Sequence, residues 1–302
     1  MNAMTPIAPA ATASLSTRAM LVSLSISQWS GRRLDREITD EVNQQHNAAA
    51  DAGRYNKLLL PKEALEPIVK IVSATRTDFL TRTLPWMDNG SRIMAAEAYL
   101  AHMGWIRQQK VKFDDAVNDF LAKYPGYVND ARVRLNGMFK DEDYPDVDTL
   151  RAKFSLDCKV MPVPSSSDFR VDMSEAQASI IRADIEEQLT KATTAAVQDV
   201  YKRVADVAGR MVERLNAYKP AKGKGDKAEG IFRDSLVENV RDLIKILPAL
   251  NITGDPKLAA MAEQLKPLAE YDASVLREDE GKRRDVAAEA QSILDTVSGF
   301  LA

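Results

Sequence analysis

Few residues in this chain have the chemistry of a catalyst. Among 302 residues there are two histidines, His46 and His102, and a single cysteine, Cys158. A nucleophilic cysteine needs a base within hydrogen-bond reach, and neither histidine sits in a recognisable motif. Cys158 instead falls in an alternating run, Phe154, Leu156, Cys158 and Val160, where a thiol reads as a small apolar core residue. A lone cysteine makes no intrachain disulfide and fits a reducing compartment.

Charged clusters are the next candidates. Gly223-Lys224-Gly225-Asp226-Lys227 invites a phosphate-loop reading, but no Gly-Lys-Ser/Thr follows at the required spacing and no strand precedes it. It reads as a basic hairpin tip, with Lys222, Lys224 and Lys227 as candidate nucleic-acid contacts. Asp141, Glu142, Asp143, Asp146 and Asp148 lack the glycine and terminal glutamate of a calcium loop, and Pro145 makes the run a turn. It reads as a solvated connection. Arg32, Arg33 and Arg36 follow Trp29. Guanidinium beside an aromatic is the chemistry that grips single strands, although a cation–π or capping cluster uses the same residues. Arg32 and Arg33 therefore join the candidate nucleic-acid contacts. Glu280-Gly281-Lys282-Arg283-Arg284 reads as a solvated face. No reaction is indicated, and no cofactor or metal site.

The elements that would position these residues are mostly helices. Residues 21–29 alternate Val22, Leu24 and Ile26 with serines, the period of a half-buried strand. Residues 154–161 form a second strand that Pro162 and Pro164 end. Helices are expected over 35–50, from Pro61 onward (with Leu65, Ile68, Val69, Val72 and Leu80 inward), and over 93–109, 113–124 and 128–139. The breaks fall at the turn Pro85 to Gly90 and at Pro125-Gly126. Trp86 and Trp105 read as core anchors.

The most informative segment begins near Asp172. Capping-box spacing occurs twice, at Asp172/Glu175 and at Ser174/Gln177. From there to about Tyr218 no proline intervenes. Ala178, Leu189, Val200 and Met211 recur every 11 residues, as do Ile185, Ala196 and Val207. That period suits a nearly straight coiled coil and equally an ordinary amphipathic helix. Such a stripe must be buried, and Leu189, Val200 and Met211 are candidate partner-binding residues. A helix over 231–247, ended by Pro248, completes a hairpin, and shorter helices follow, with a break at Pro267 and a cap at Asp272.

Composition agrees with a folded helical protein. Hydrophobic residues are 45% and aromatics 6%, enough for a sizeable core but poor in strand-forming rings. A formal charge of −3 argues against a general nucleic-acid binder, which carries an excess of Lys and Arg. No run approaches the roughly 20 apolar residues of a membrane span, and residues 1–16 lack the features of a signal peptide.

Leu84-Pro85-Trp86, with Asn89-Gly90 and Arg92, resembles a segment of a family of helical bacterial and phage or prophage proteins of unknown function. Tyr144-Pro145, Phe154, Pro162-Val163-Pro164 and Asp168-Phe169-Arg170 extend the resemblance, which covers about 22–247. It implies a phage origin, a cytoplasmic setting in a bacterial host, and an adaptor role beside a MoxR-like AAA+ ATPase and a von Willebrand factor A-type protein. The family offers no catalytic residues to carry over. Physically, Phe169 and Asp172 suit a staple and cap for the long helix.

The expected fold is mainly α, an elongated helical bundle with a long antiparallel hairpin and a minor two-stranded β element. The expected division is a disordered tail (1–20), a helical body (21–171), the hairpin (172–250) and C-terminal helices packed on it (251–302). The expected function is a non-enzymatic interaction or adaptor protein that binds a protein partner or itself, without a membrane. A nucleic-acid-associated factor in recombination or DNA-end protection is the alternative.

Overall fold

The structure, a computed structural model, describes residues 15–87, 90–165, 174–221, 223 and 226–301. It is mainly α. In chain order the elements are β1 (Ala19–Ser27), β2 (Arg32–Leu34), α1 (Arg36–Gln45), β3 (Asn56–Leu58), α2 (Lys62–Arg82), β4 (Leu84–Pro85), β5 (Arg92–Ala95), α3 (Tyr99–Leu135), α4 (Val147–Arg151), β6 (Ser155–Pro162), α5 (Glu175–Ala217), α6 (Ser235–Leu250), α7 (Pro256–Leu265), α8 (Ala273–Glu278) and α9 (Glu280–Leu301). Four strands form a sheet in the order β4-β5-β1-β6, and β2 pairs with β3 in a separate ribbon. The two expected strands are therefore neighbours, but in a sheet twice the expected width.

Several expectations need correction. Residues 93–95 belong to β5, antiparallel to both β1 and β4, because Ile93 and Met94 are fully buried there. A four-residue apolar run does not distinguish strand from helix by period. The rest of the expected 93–109 helix and the expected helices 113–124 and 128–139 run together as one helix, α3, with Pro125 inside it; α3 ends at Leu135, and Asn136–Met138 is a 3-10 turn. Tertiary packing outweighs the lost N–H, since Phe120, Leu121, Tyr124 and Ala131 on both sides of the proline are buried. On α2, Leu65, Ile68 and Val72 face inward as expected, but Val69 and Leu80 are exposed. The expected 35–50 helix stops at Gln45, where Asn47 takes a positive φ and Asn43 holds the following loop through Ala50 O. Leu15 is buried, so residues 15–20 are not tail; 1–14 lie outside the described residues, as do Asn89 and the expected staple and cap at 168–172.

The chain divides into two compact units, each discontinuous in sequence: Met1–Ser23, Leu80–His102 and Val160–Ala302 form one, and Leu24–Phe79 with Met103–Lys159 form the other. The division runs through β1 and β6 rather than at linkers.

The first unit is built on α5. Ser174 caps it, accepting from Gln177 N, while Gln177 reaches back to Ser174 N. The other candidate box, Asp172/Glu175, includes a residue outside those described. Ala178, Leu189, Val200 and Met211 are 6%, 4%, 0% and 0% exposed. The C-terminal helix α9 packs along α5 far more extensively than α6 does, and β4 also lies against it. Leu189, Val200 and Met211 thus spend their apolar surface inside the chain and are not free to bind a partner, which corrects the expectation that the stripe is an interface. In the loop between α5 and α6, Lys219 and Glu229 exchange backbone hydrogen bonds. Gly230 closes it at φ 61°, and a Cβ there would lie 2.2 Å from Ala217 O.

Two arginines finish α2. Arg203 donates to the carbonyls of Leu80, Thr81 and Thr83, and Arg92 to those of Leu80 and Thr83. These are carbonyls that the end of a helix leaves without intrahelical donors. Arg283 does the same for Leu276 and Arg277 at the end of α8. It is buried, so the charge run at 280–284 is not a wholly solvated face.

The second unit has its own core, in which Leu65, Ile68 and Val72 of α2 meet Phe113, Val117, Phe120 and Leu121 of α3.

Candidate functional site

The second unit carries a cleft of about 650 Å³. Its floor starts from the β2–β3 ribbon. The register places Arg33 directly opposite Lys57, two like charges on one face, which is unfavourable unless bridged. Asp143 is the bridge: one oxygen lies 2.9 Å from Arg33 Nε and the other 2.6 Å from Lys57 Nζ. Lys57 Nζ also meets Asp35 Oδ2 at 3.1 Å and donates to Met138 O at 2.8 Å. Two carboxylates and a carbonyl surround the ammonium, and so a lysine side chain only 2% exposed keeps its charge.

Asp35 is held from several sides. It is the N-cap of α1, accepting from Ile38 N at 3.3 Å. Its backbone N–H donates to Tyr55 O, and Thr39 Oγ1 bonds its carbonyl, which ties α1 to the ribbon. Tyr144 donates to Leu59 O, and Tyr124 to Pro145 O, so the turn bearing Asp143 is fastened to α3 and the ribbon. Burial disfavours the Asp35 carboxylate, but hydrogen bonds from Lys57 and Ile38 and the charges of Lys57 and Lys140 hold its pKa below the ordinary value. Burial likewise pulls Lys57 down, and the two aspartates more than reverse it. Both groups are fixed in their charged forms, so neither is poised to exchange a proton at neutral pH.

Around this closed network lie charges of a different kind. Six cationic side chains and four carboxylates line the cleft. Lys140 pairs with Glu37 at 2.8 Å. The side chains of Arg32, Arg36, Lys153 and Glu142 make no hydrogen bond or ion pair with any described residue, and all four are exposed. Trp29 also lines the cleft. Its ring is held edge-on by Tyr124, with centroids 6.1 Å apart at 83°, and by Phe120 at 6.4 Å.

The expected site residues distribute unevenly over this picture. Arg32 and Arg33 both reach the cleft, but Arg33 is occupied by Asp143. Lys227 is exposed in the loop after α5, in the first unit; Lys222 and Lys224 lie outside the described residues. The acidic run is not simply a solvated connection. Asp143 is buried, Asp141 pairs with Arg132, and Asp146 caps α4. Among the described residues no cluster of His, Cys, Asp and Glu is suited to a metal. Cys158 is half-buried rather than in the core, and burial pushes its thiol up, away from the thiolate. His102 is buried, and burial with the nearby Arg82 charge lowers its pKa to about 4. Trp86 and Trp105 are core anchors as expected. Asp35, Lys57 and Lys153 carry no sign of the cleft in the sequence, and Asp143 shows there only as one acid of the run around Pro145. A lysine that opens an apolar run and two aspartates far apart in the chain carry no periodic or motif signal.

No family model, curated protein or solved structure matches this chain. Among the described residues no helix is long and apolar enough to cross a membrane.

Proposed function

We propose that this protein is a non-enzymatic interaction protein that grips an anionic partner in the cleft of the second unit. The observation that carries this reading is the contrast within the cleft. Lys57, Arg33, Asp35 and Asp143 pair with one another, whereas the side chains of Arg32, Arg36 and Lys153 pair with no described residue. A rigid, internally neutralised floor under unpaired cations is suited to binding and holds no group set for acid–base work. The adaptor role beside an AAA+ ATPase or a von Willebrand factor A-type protein, which the family resemblance implies, is compatible with such a module and is part of the proposal. The covered stripe on α5 gives no support to self-association.

The test is titration with two polyanions, heparin and polyglutamate, at about 50 mM salt. Binding that weakens as salt rises, and that the triple variant Arg32→Glu, Arg36→Glu, Lys153→Glu abolishes without loss of fold, is the expected result. If the wild-type protein binds neither polymer, or the triple variant binds as well, the cleft is not an anion site.

A further inference from the structure

We propose that the occupant of the cleft is single-stranded nucleic acid, with Trp29 stacking a base and Arg32, Arg36 and Lys153 holding the phosphates. This inference rests on the anionic-partner reading and names its partner. Three features single out this class of anion.

The first is Trp29. A polyanion recognised by charge alone needs no aromatic surface, but the wall of this cleft includes an indole whose ring plane is fixed by Tyr124 and Phe120. A ring held in advance loses little freedom when a base stacks on it, and every base has a π-face to offer. Bases paired within a duplex do not offer that face, so an unpaired strand is required.

The second is the placement of the cations. Arg32 is on β2, Arg36 opens α1, and Lys153 follows α4. Three separate elements supply charge to one cleft, as tracking a backbone requires. The third is Glu142. Its unpaired carboxylate in the same cleft repels a run of glutamates or aspartates. A nucleotide separates its charge from its neutral base, and the exocyclic amines of bases donate to carboxylates. A lining of mixed sign therefore favours a nucleotide strand over an acidic peptide.

The experiment is fluorescence anisotropy with a labelled oligodeoxycytidylate of about 15 nucleotides, whose bases stack and carry an exocyclic amine, with polyglutamate and a duplex of the same length as competitors. The single strand should compete best. Trp29→Ala should weaken its binding by about 5- to 100-fold and leave polyglutamate binding unchanged. Tryptophan emission gives a second readout. Trp86 and Trp105 are 1% and 9% exposed, so quenching on binding reports Trp29 and should vanish in Trp29→Phe. This readout decides the matter if Trp29→Ala does not fold.

Oligonucleotide binding that ignores Trp29 and quenches no tryptophan overturns the inference, as does a duplex that competes equally. Polyglutamate binding through Arg32, Arg36 and Lys153 without oligonucleotide binding overturns it too, and leaves the anionic-partner reading standing. Binding of no polymer removes both.

Discussion

Asp143 owes its burial to the two cations that the β2–β3 register sets side by side. In the sequence it is one acid among several around Pro145; in the fold it is the counter-ion of Arg33 and Lys57. Replacing it with Ala leaves Lys57 with one carboxylate and Arg33 with none. The expected loss is about 3–5 kcal/mol, read from urea denaturation, whereas Arg33→Ala, at a side chain 54% exposed, should cost less than about 1 kcal/mol. The same network sets a pH window. Asp35 is depressed below its ordinary 3.8, so its contribution is present above that value and is lost as pH falls through the depressed pKa. Lys57 is raised above 10.5, so its contribution is present below that value and is lost as pH rises through the raised pKa. His102 acts earlier on the acid side. Its pKa falls from 6.5 to about 4 on folding, so the unfolded chain takes up the proton first and stability declines from pH 6.5 downward. By pH 5 the decline attributable to this one group is at most about 2 kcal/mol. Denaturation curves at pH 7 and pH 5 should show a smaller drop for His102→Gln than for the wild type.

Elements were legible where a local rule and the tertiary structure agreed. The Ser174/Gln177 box, the proline-free stretch after it and the alternation in β1 and β6 all correspond to observed elements. They fail together where packing overrides a local signal. Pro125-Gly126 reads as a break, yet the aromatic side chains on either side belong to one core, and α3 runs through. The β2–β3 ribbon escaped notice because three-residue strands of Arg, Lys and Asn have no hydrophobic period, and with it went most of the cleft. Gly230 is a case where the element demands the residue. Its positive φ and the approach to Ala217 O leave no room for a side chain. Gly230→Ala must open the Lys219–Glu229 bridge, and a drop in melting temperature should exceed that of Ser174→Ala, which removes a helix cap worth about 1 kcal/mol.

At the scale of the whole molecule, the fate of the α5 stripe decides what kind of protein this is. A row of apolar residues about 65 Å long suggested surface in want of a partner. The sequence does show that the row must be buried, but not by what, because the covering helix, α9, begins more than 60 residues after α5 ends and no periodicity links two segments so far apart. The discontinuous units are hidden for the same reason, since a chain that leaves a unit through the middle of a strand shows no linker. Because α9, α6 and β4 cover the stripe, substitutions in it should report on folding and not on assembly. Val200→Ala and Met211→Ala, at fully buried sites, should lower stability, by about 1–2 kcal/mol for Val200 and about 2–5 kcal/mol for Met211, with the molar mass from light scattering identical to that of the wild type. A stripe that joined copies would give the opposite pattern, in which the mass falls while the fold of each chain holds. That pattern would return α5 to the role of an interface.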